Sequence, residues 1–122
     1  MKKLVKEVDI TAGGELFCVE FMNDNEVLFR KKITGLDRMG GEIDGYQRIA
    51  VGHRVAIKLF REIEREIEKY VWETKPAYVY FTAGFDRSRF SLYKRFALKL
   101  GRIGYHYAEA PDNPNMLYCY KN

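Results

Sequence analysis

The chain has 122 residues, of which 47% are hydrophobic and 31% charged, and its net charge is +4. This length and composition predict one soluble globular domain spanning residues 1–122. No apolar run approaches the length of a membrane-spanning helix or a signal peptide, so we expect no membrane partner and a cytoplasmic location. The positive charge permits an anionic partner such as nucleic acid or a phosphorylated cofactor, although an ordinary basic protein would carry the same charge.

The first third of the chain predicts an antiparallel meander of three strands. Residues 3–10, 15–22 and 26–33 are rich in strand-forming side chains. The glycine pair at 13–14 separates the first two strands. The polar spacer at 23–25 is a hairpin signal between the second strand and the third.

A glycine-rich segment follows the meander and leads into the clearest helix of the chain. Residues 35–52 contain five glycines and no regular period, so we expect a long loop with a binding role. From about His53 to Tyr70, apolar residues recur at helical spacing. The opposite face reads REIEREIEK, whose alternating charges favour a solvated, salt-bridged surface over a metal site. We therefore predict no metal.

The remaining sequence predicts a strand, a second helix and two closing strands. The run Tyr78–Phe81 is almost continuously apolar, which is typical of a strand buried on both faces. The second helix is expected to end at Gly101 or Gly104, because glycine commonly follows the last helical turn. Residues 105–108 and 116–120 then form the closing strands.

The two cysteines, Cys18 and Cys119, lie far apart in strand-like segments and match no metal-ligand spacing. We expect both to be small, buried, apolar residues in a reducing compartment. A disulfide between adjacent strands is the alternative.

Several short motifs within residues 47–120 carry a family resemblance. A strand ending in Phe81-Thr82-Ala83 is followed by Ser88-Arg89, then by Leu92-Tyr93-Lys94-Arg95 on a helix, and then by Gly104-Tyr105. Together with the order of the predicted elements, these motifs resemble the GCN5-related N-acetyltransferase (GNAT) family. The likeness is closest to small phage-encoded relatives of those enzymes.

The resemblance implies a mixed α+β domain whose mainly antiparallel central sheet is flanked by two principal helices. In that family two central strands splay apart before the first long helix, and the cofactor acetyl-CoA is threaded through the gap. The chain would accordingly be an acyl-CoA-dependent N-acetyltransferase, or a degenerate relative, acting on an unidentified amine or protein substrate.

The resemblance also gives roles to individual residues. Arg48, Gly52, His53 and Arg54 surround the start of the first helix and would hold the cofactor's phosphates, since a helix N-terminus presents free N–H groups and a positive dipole. Tyr93 would be the general acid that protonates the departing thiolate. From the sequence pattern alone, Tyr93 also fits a core-edge aromatic and His53 a surface or capping residue.

A second hypothesis is a non-catalytic binding protein. The second helix carries basic side chains that can contact nucleic-acid phosphates or an acidic protein surface: Arg87, Arg89, Lys94, Arg95 and Lys99. The chain would then be a phage protein that binds a nucleic acid or a host macromolecule. A homodimer through aromatics such as Trp72 or Phe85 is compatible with either function.

Overall fold

The computed structural model describes residues 1–32, 53–83, 87–110 and 112–121. Within these ranges the strands are β1 (Leu4–Ala12), β2 (Glu15–Met22), β3 (Val27–Lys31), β4 (Tyr78–Thr82), β5 (Tyr105–Ala110) and β6 (Asn113–Lys121). The helices are α1 (His53–Thr74) and α2 (Arg87–Lys99), and a 3₁₀ turn (Leu100–Ile103) extends α2. The predicted mixed α+β class and the order of elements are confirmed.

The strands form two antiparallel sheets of three strands each, in the orders β1-β2-β3 and β4-β6-β5. The first sheet is the predicted meander. Gly13 and Gly14 turn between β1 and β2 with φ angles of 60° and 78°, a conformation that glycine adopts at little cost. Asn25, with a φ angle of 73°, lies in the predicted hairpin between β2 and β3.

The two sheets meet where β3 begins. Glu26 forms a parallel bridge with Tyr80 of β4, and the Tyr80 N–H donates to the carbonyl oxygen of Asn25 at 3.0 Å. Beyond this bridge, β3 and β4 belong to separate sheets and form no ladder with each other in the described part of the chain. The predicted single central sheet is therefore two sheets that touch at one end of two parallel strands.

Both helices contribute to one hydrophobic core. Tyr70 of α1 stacks on Phe21 of β2 with ring centroids 3.9 Å apart, and Phe60 of α1 lies edge-on to Phe29 of β3 at 6.5 Å. Phe60 also contacts Phe96 of α2 at 6.5 Å, which joins the two helices on the same side of the sheets. Phe21, Phe29 and Phe96 are buried, and the burial of each contributes roughly 1.5–3 kcal/mol.

The prediction that Tyr78–Phe81 is buried on both faces was wrong. Val79 and Phe81 are buried against the helices, whereas Tyr78 and Tyr80 are only half-buried. Tyr80 instead stacks on Tyr118 of β6, with ring centroids 5.7 Å apart. The outer face of the second sheet therefore carries tyrosines. Because tyrosine rings are largely apolar, they made the run Tyr78–Phe81 resemble a fully buried strand.

The ends of the helices follow backbone geometry. α1 runs one turn beyond the predicted Tyr70 and ends at Thr74, after which Lys75 adopts a φ angle of 50° and its N–H donates to the Val71 carbonyl oxygen at 2.8 Å. Gly104, with a φ angle of 95°, ends the 3₁₀ turn as predicted. Neither helix, over the described residues, is apolar enough along a sufficient length to span a bilayer.

Candidate functional site

A cleft opens where β3 and β4 separate beyond their bridge, with a volume of about 290 Å³. The described residues that line it are Glu20, Leu28, Phe29, Arg30, Thr82, Arg89 and Tyr93. Leu28 and Arg30 point to one face of β3 and Phe29 to the other, because successive side chains alternate along a strand. The cleft therefore passes between the two sheets. Side chains line it both from the helix side of the sheets and from the opposite side.

On the side away from the helices, the cleft is lined by a partly buried ion pair. Glu20 of β2 is only 9% exposed, and its Oε2 atom accepts a hydrogen bond from Arg30 Nη2 of β3 at 3.1 Å. Burial raises the pKa of the Glu20 carboxyl, and the Glu7 carboxylate opposite it on β1 raises it further, whereas Arg30 acts in the lowering direction. Glu20 is thus a carboxyl group with increased basicity beside a fixed positive charge.

Glu20 also belongs to a small cluster with Cys18 and Glu7, whose ligand atoms lie within 4.8 Å of one another. Positive side chains already neutralise this cluster, since Arg30 pairs with Glu20 and Lys32 Nζ donates to Glu7 Oε1 at 2.7 Å. Burial raises the pKa of the Cys18 thiol, which keeps it in the neutral form. We therefore interpret the cluster as an ion-pair network on the face of the first sheet away from the helices.

On the helix side, Tyr93 of α2 faces the cleft. Its side chain is 2% exposed, and its ring lies 5.4 Å from Phe81 and 6.3 Å from Phe96, measured between centroids. The two interpretations of Tyr93 are therefore compatible, because the ring is part of the core while the residue lines the cleft. Thr82 and Arg89 line the same cleft.

The direction of α1 follows from its aromatic contacts. Phe60 contacts Phe29 in the middle of β3, whereas Tyr70 stacks on Phe21, which is paired with Val27 at the start of β3. α1 therefore runs antiparallel to β3. Its first turn lies toward the end at which β3 and β4 have separated.

The predicted phosphate-binding residues are only partly described. Arg48 and Gly52 lie outside the described residues, and so does the side chain of His53, although His53 begins α1. Arg54 is exposed in the first turn, which contains no acidic residue. This turn therefore has the electrostatic character that favours an anion.

The predicted basic helix does not present one face. Arg89 lines the cleft, Lys94 Nζ lies 5.6 Å above the Tyr107 ring, and Arg95 Nε donates to Glu64 Oε2 of α1 at 3.1 Å. Lys99 is exposed, and the side chain of Arg87 lies outside the described residues. The four described basic residues thus lie in four different environments, and the nucleic-acid role of this helix stays a prediction.

No family model, curated protein or solved structure matches this chain. The acetyltransferase resemblance accordingly stays a prediction from motifs and element order.

Neither Glu20 nor Arg30 was among the predicted site residues. A signal for Glu20 is present in ELFCVEFM, where one carboxylate interrupts an apolar run between Phe17 and Phe21 that is buried throughout. A charged residue in such a run requires a partner, because an unpaired buried charge is strongly unfavourable. The identity of that partner, Arg30, depends on strand register.

Proposed function

We propose that the chain transfers an acyl group from acyl-CoA to an amine in the cleft between β3 and β4. The observation that carries the proposal is the separation of these two parallel strands immediately after the Glu26–Tyr80 bridge. Separated strands present backbone N–H and C=O groups along their facing edges, and an extended ligand can pair with such an edge as an added strand. The amide groups of the pantetheine arm of CoA suit this form of recognition.

The charge of the surroundings supports the same ligand. The first turn of α1 lies toward the open end of the cleft and carries Arg54 but no acidic side chain. Free N–H groups at a helix N-terminus bind phosphate oxygens. In the proposal Arg48, Gly52, His53 and Arg54 hold the phosphates, and the cleft holds the acyl end.

The cleft residues supply an acid and a base from opposite sides. Glu20 lies on the side away from the helices, and its raised pKa suits the removal of a proton from the attacking amine. Arg30, 3.1 Å away, fixes the orientation of the carboxylate. Tyr93 approaches from the helix side, where its hydroxyl can return a proton to the leaving sulfur. The thioester itself supplies the activated acyl group.

Binding of acetyl-CoA tests the proposal directly. A ligand present at about one hundred times its Kd adds about 2.7 kcal/mol to the stability of the folded protein, which corresponds to roughly 10 °C in melting temperature for a domain of this size. We expect acetyl-CoA to give such a shift. We also expect the protein to release thiol from acetyl-CoA in the presence of an amine panel.

Adenosine 3′,5′-bisphosphate is the matched control ligand, because it keeps phosphates and lacks the pantetheine arm. A smaller shift with this compound would support an arm bound between the strands. The absence of any shift with millimolar acetyl-CoA would overturn the proposal.

A further inference from the structure

A second surface, at the far end of α1, has no role in the proposed reaction. Trp72, the single tryptophan of the chain, is 59% exposed there. It lies 19 residues after His53, which is roughly 28 Å along the helix from the proposed phosphate site. Lys75 Nζ lies 5.3 Å from the centroid of the indole ring and holds a positive charge over it.

Two shallow depressions adjoin Trp72. One has a volume of about 420 Å³ and the other about 160 Å³, and both are lined by Trp72 and Ile103. The indole and Ile103 therefore form an apolar boundary shared by both depressions.

The surface around the indole is strongly basic. The two depressions are lined by five basic side chains, namely Arg65, Lys69, Lys75, Arg102 and Lys121. Glu68 is the acidic residue described among the lining residues, and its Oε1 atom is paired with Arg102 at 3.3 Å. Glu66 and Glu73 lie on the adjoining stripe of α1 and line neither depression. We call this surface, made of Trp72, Ile103 and the five cations, the tryptophan patch.

We propose that the tryptophan patch binds single-stranded nucleic acid, with a base stacked on Trp72 and phosphates held by the surrounding cations. An exposed aromatic ring within a positively charged groove is the combination that such ligands require, because every base offers a planar face and every nucleotide a negative charge. An acidic peptide would satisfy the cations but would leave the indole without a planar partner. The proposal does not depend on acyl transfer.

Trp72 is also the probe for the experiment. Because it is the single tryptophan, fluorescence excited at wavelengths beyond the tyrosine absorption band reports on this site alone. An unlabelled oligo-dT of about 20 nucleotides should quench that fluorescence saturably, and fluorescein-labelled oligo-dT should show the same Kd by anisotropy. Affinity should fall steeply as salt rises from about 50 to 200 mM.

Three variants separate stacking from charge. Trp72→Ala should weaken oligo-dT binding about 5- to 150-fold, and Trp72→Phe by less, since phenylalanine keeps a smaller stacking face. The double variant Lys69→Glu with Lys75→Glu should weaken binding and reduce the dependence on salt. Lys58→Glu is the matched control, because Lys58 is another exposed lysine of α1, 11 residues or roughly 16 Å before Lys69.

The results of these binding experiments distinguish single-stranded nucleic acid from acidic peptides and duplex DNA. Saturable quenching in the wild type, with oligo-dT binding measured by anisotropy weakened in Trp72→Ala and kept in Lys58→Glu, supports the proposal. Absence of binding at about 50 mM salt overturns it, as does an equal loss in Lys58→Glu. Equal quenching by polyglutamate would assign the patch to acidic peptides, and equal affinity for duplex DNA would exclude recognition of single strands. A circular dichroism spectrum of each variant establishes that it is folded.

Discussion

Tyr80 Oη donates a hydrogen bond to Asp24 Oδ2 at 2.7 Å, and this contact joins the second sheet to the hairpin that precedes β3. It lies beside the Glu26–Tyr80 bridge, at the closed end of the cleft. Burial raises the pKa of the Tyr80 hydroxyl, and the bond to Asp24 raises it further. The two sheets are thus joined by polar contacts at one end of two strands.

Tyr80→Phe should lower the free energy of unfolding by about 1.5–3 kcal/mol, because the lost hydrogen bond has a charged acceptor. Urea unfolding at neutral pH measures the change. Tyr78→Phe is the control, since Tyr78 lies two residues earlier on the same face of β4. The native pKa of Tyr80 is raised, so its stabilising contribution should persist below pH 10 and fade as pH rises through the native value. An equal loss in both variants would show that the bond to Asp24 is not responsible.

Glu20→Gln should change how stability depends on pH. The raised native pKa means that the folded protein holds this proton more tightly than the unfolded chain, in which the carboxyl titrates near 4.5. The Glu20 contribution therefore favours folding at low pH and is lost as pH rises through the native pKa. Relative to wild type, the variant should gain stability in urea unfolding as the pH rises above about 4.5.

Glu15→Gln controls for the loss of an ion pair, because Glu15 is paired with Lys31 at 2.7 Å on the same two strands. If the wild-type protein instead gains stability relative to Glu20→Gln as the pH rises, the result would contradict a raised native pKa for Glu20.

Tyr93→Phe should lower the rate of acyl transfer about 100- to 10,000-fold, the range over which a general acid contributes. Acetyl-CoA affinity should change little, because the ring packing against Phe81 is kept. Tyr107→Phe is the control, since its hydroxyl bonds to Glu109 on β5 and does not line the cleft. An unchanged rate in Tyr93→Phe would restrict Tyr93 to the core.

The two thiols should be unreactive toward Ellman's reagent in the native protein and should both react after unfolding. Cys18 and Cys119 are free and buried, as the sequence predicted, and they lie in different sheets. Burial raises the pKa of Cys119 to about 12 and also raises that of Cys18, so little thiolate forms near neutral pH. Reaction of one thiol at full rate in the native state would contradict this burial.

Local pattern was sufficient to predict the elements of the fold. The glycine pair at 13–14, the polar spacer at 23–25 and the helical period from His53 gave the meander and α1, because turns and amphipathic helices depend on neighbouring residues. Tyr78–Phe81 was misread because tyrosine is apolar enough to extend a hydrophobic run and polar enough to face solvent.

The sequence by itself determined a small α+β domain, two buried cysteines and the position of Tyr93 on the second helix. Only the tertiary structure decided what Tyr93 faces, because Glu20 and Arg30 reach the same cleft through the pairing of β2 with β3 and the separation of β3 from β4. It likewise decided that Arg95 pairs with Glu64 whereas Trp72 stands exposed among cations. The physical reason is that secondary-structure propensity and hydrophobic periodicity depend on residues close together in the sequence. A functional site is made of residues distant in the sequence, which only strand register and helix packing bring together.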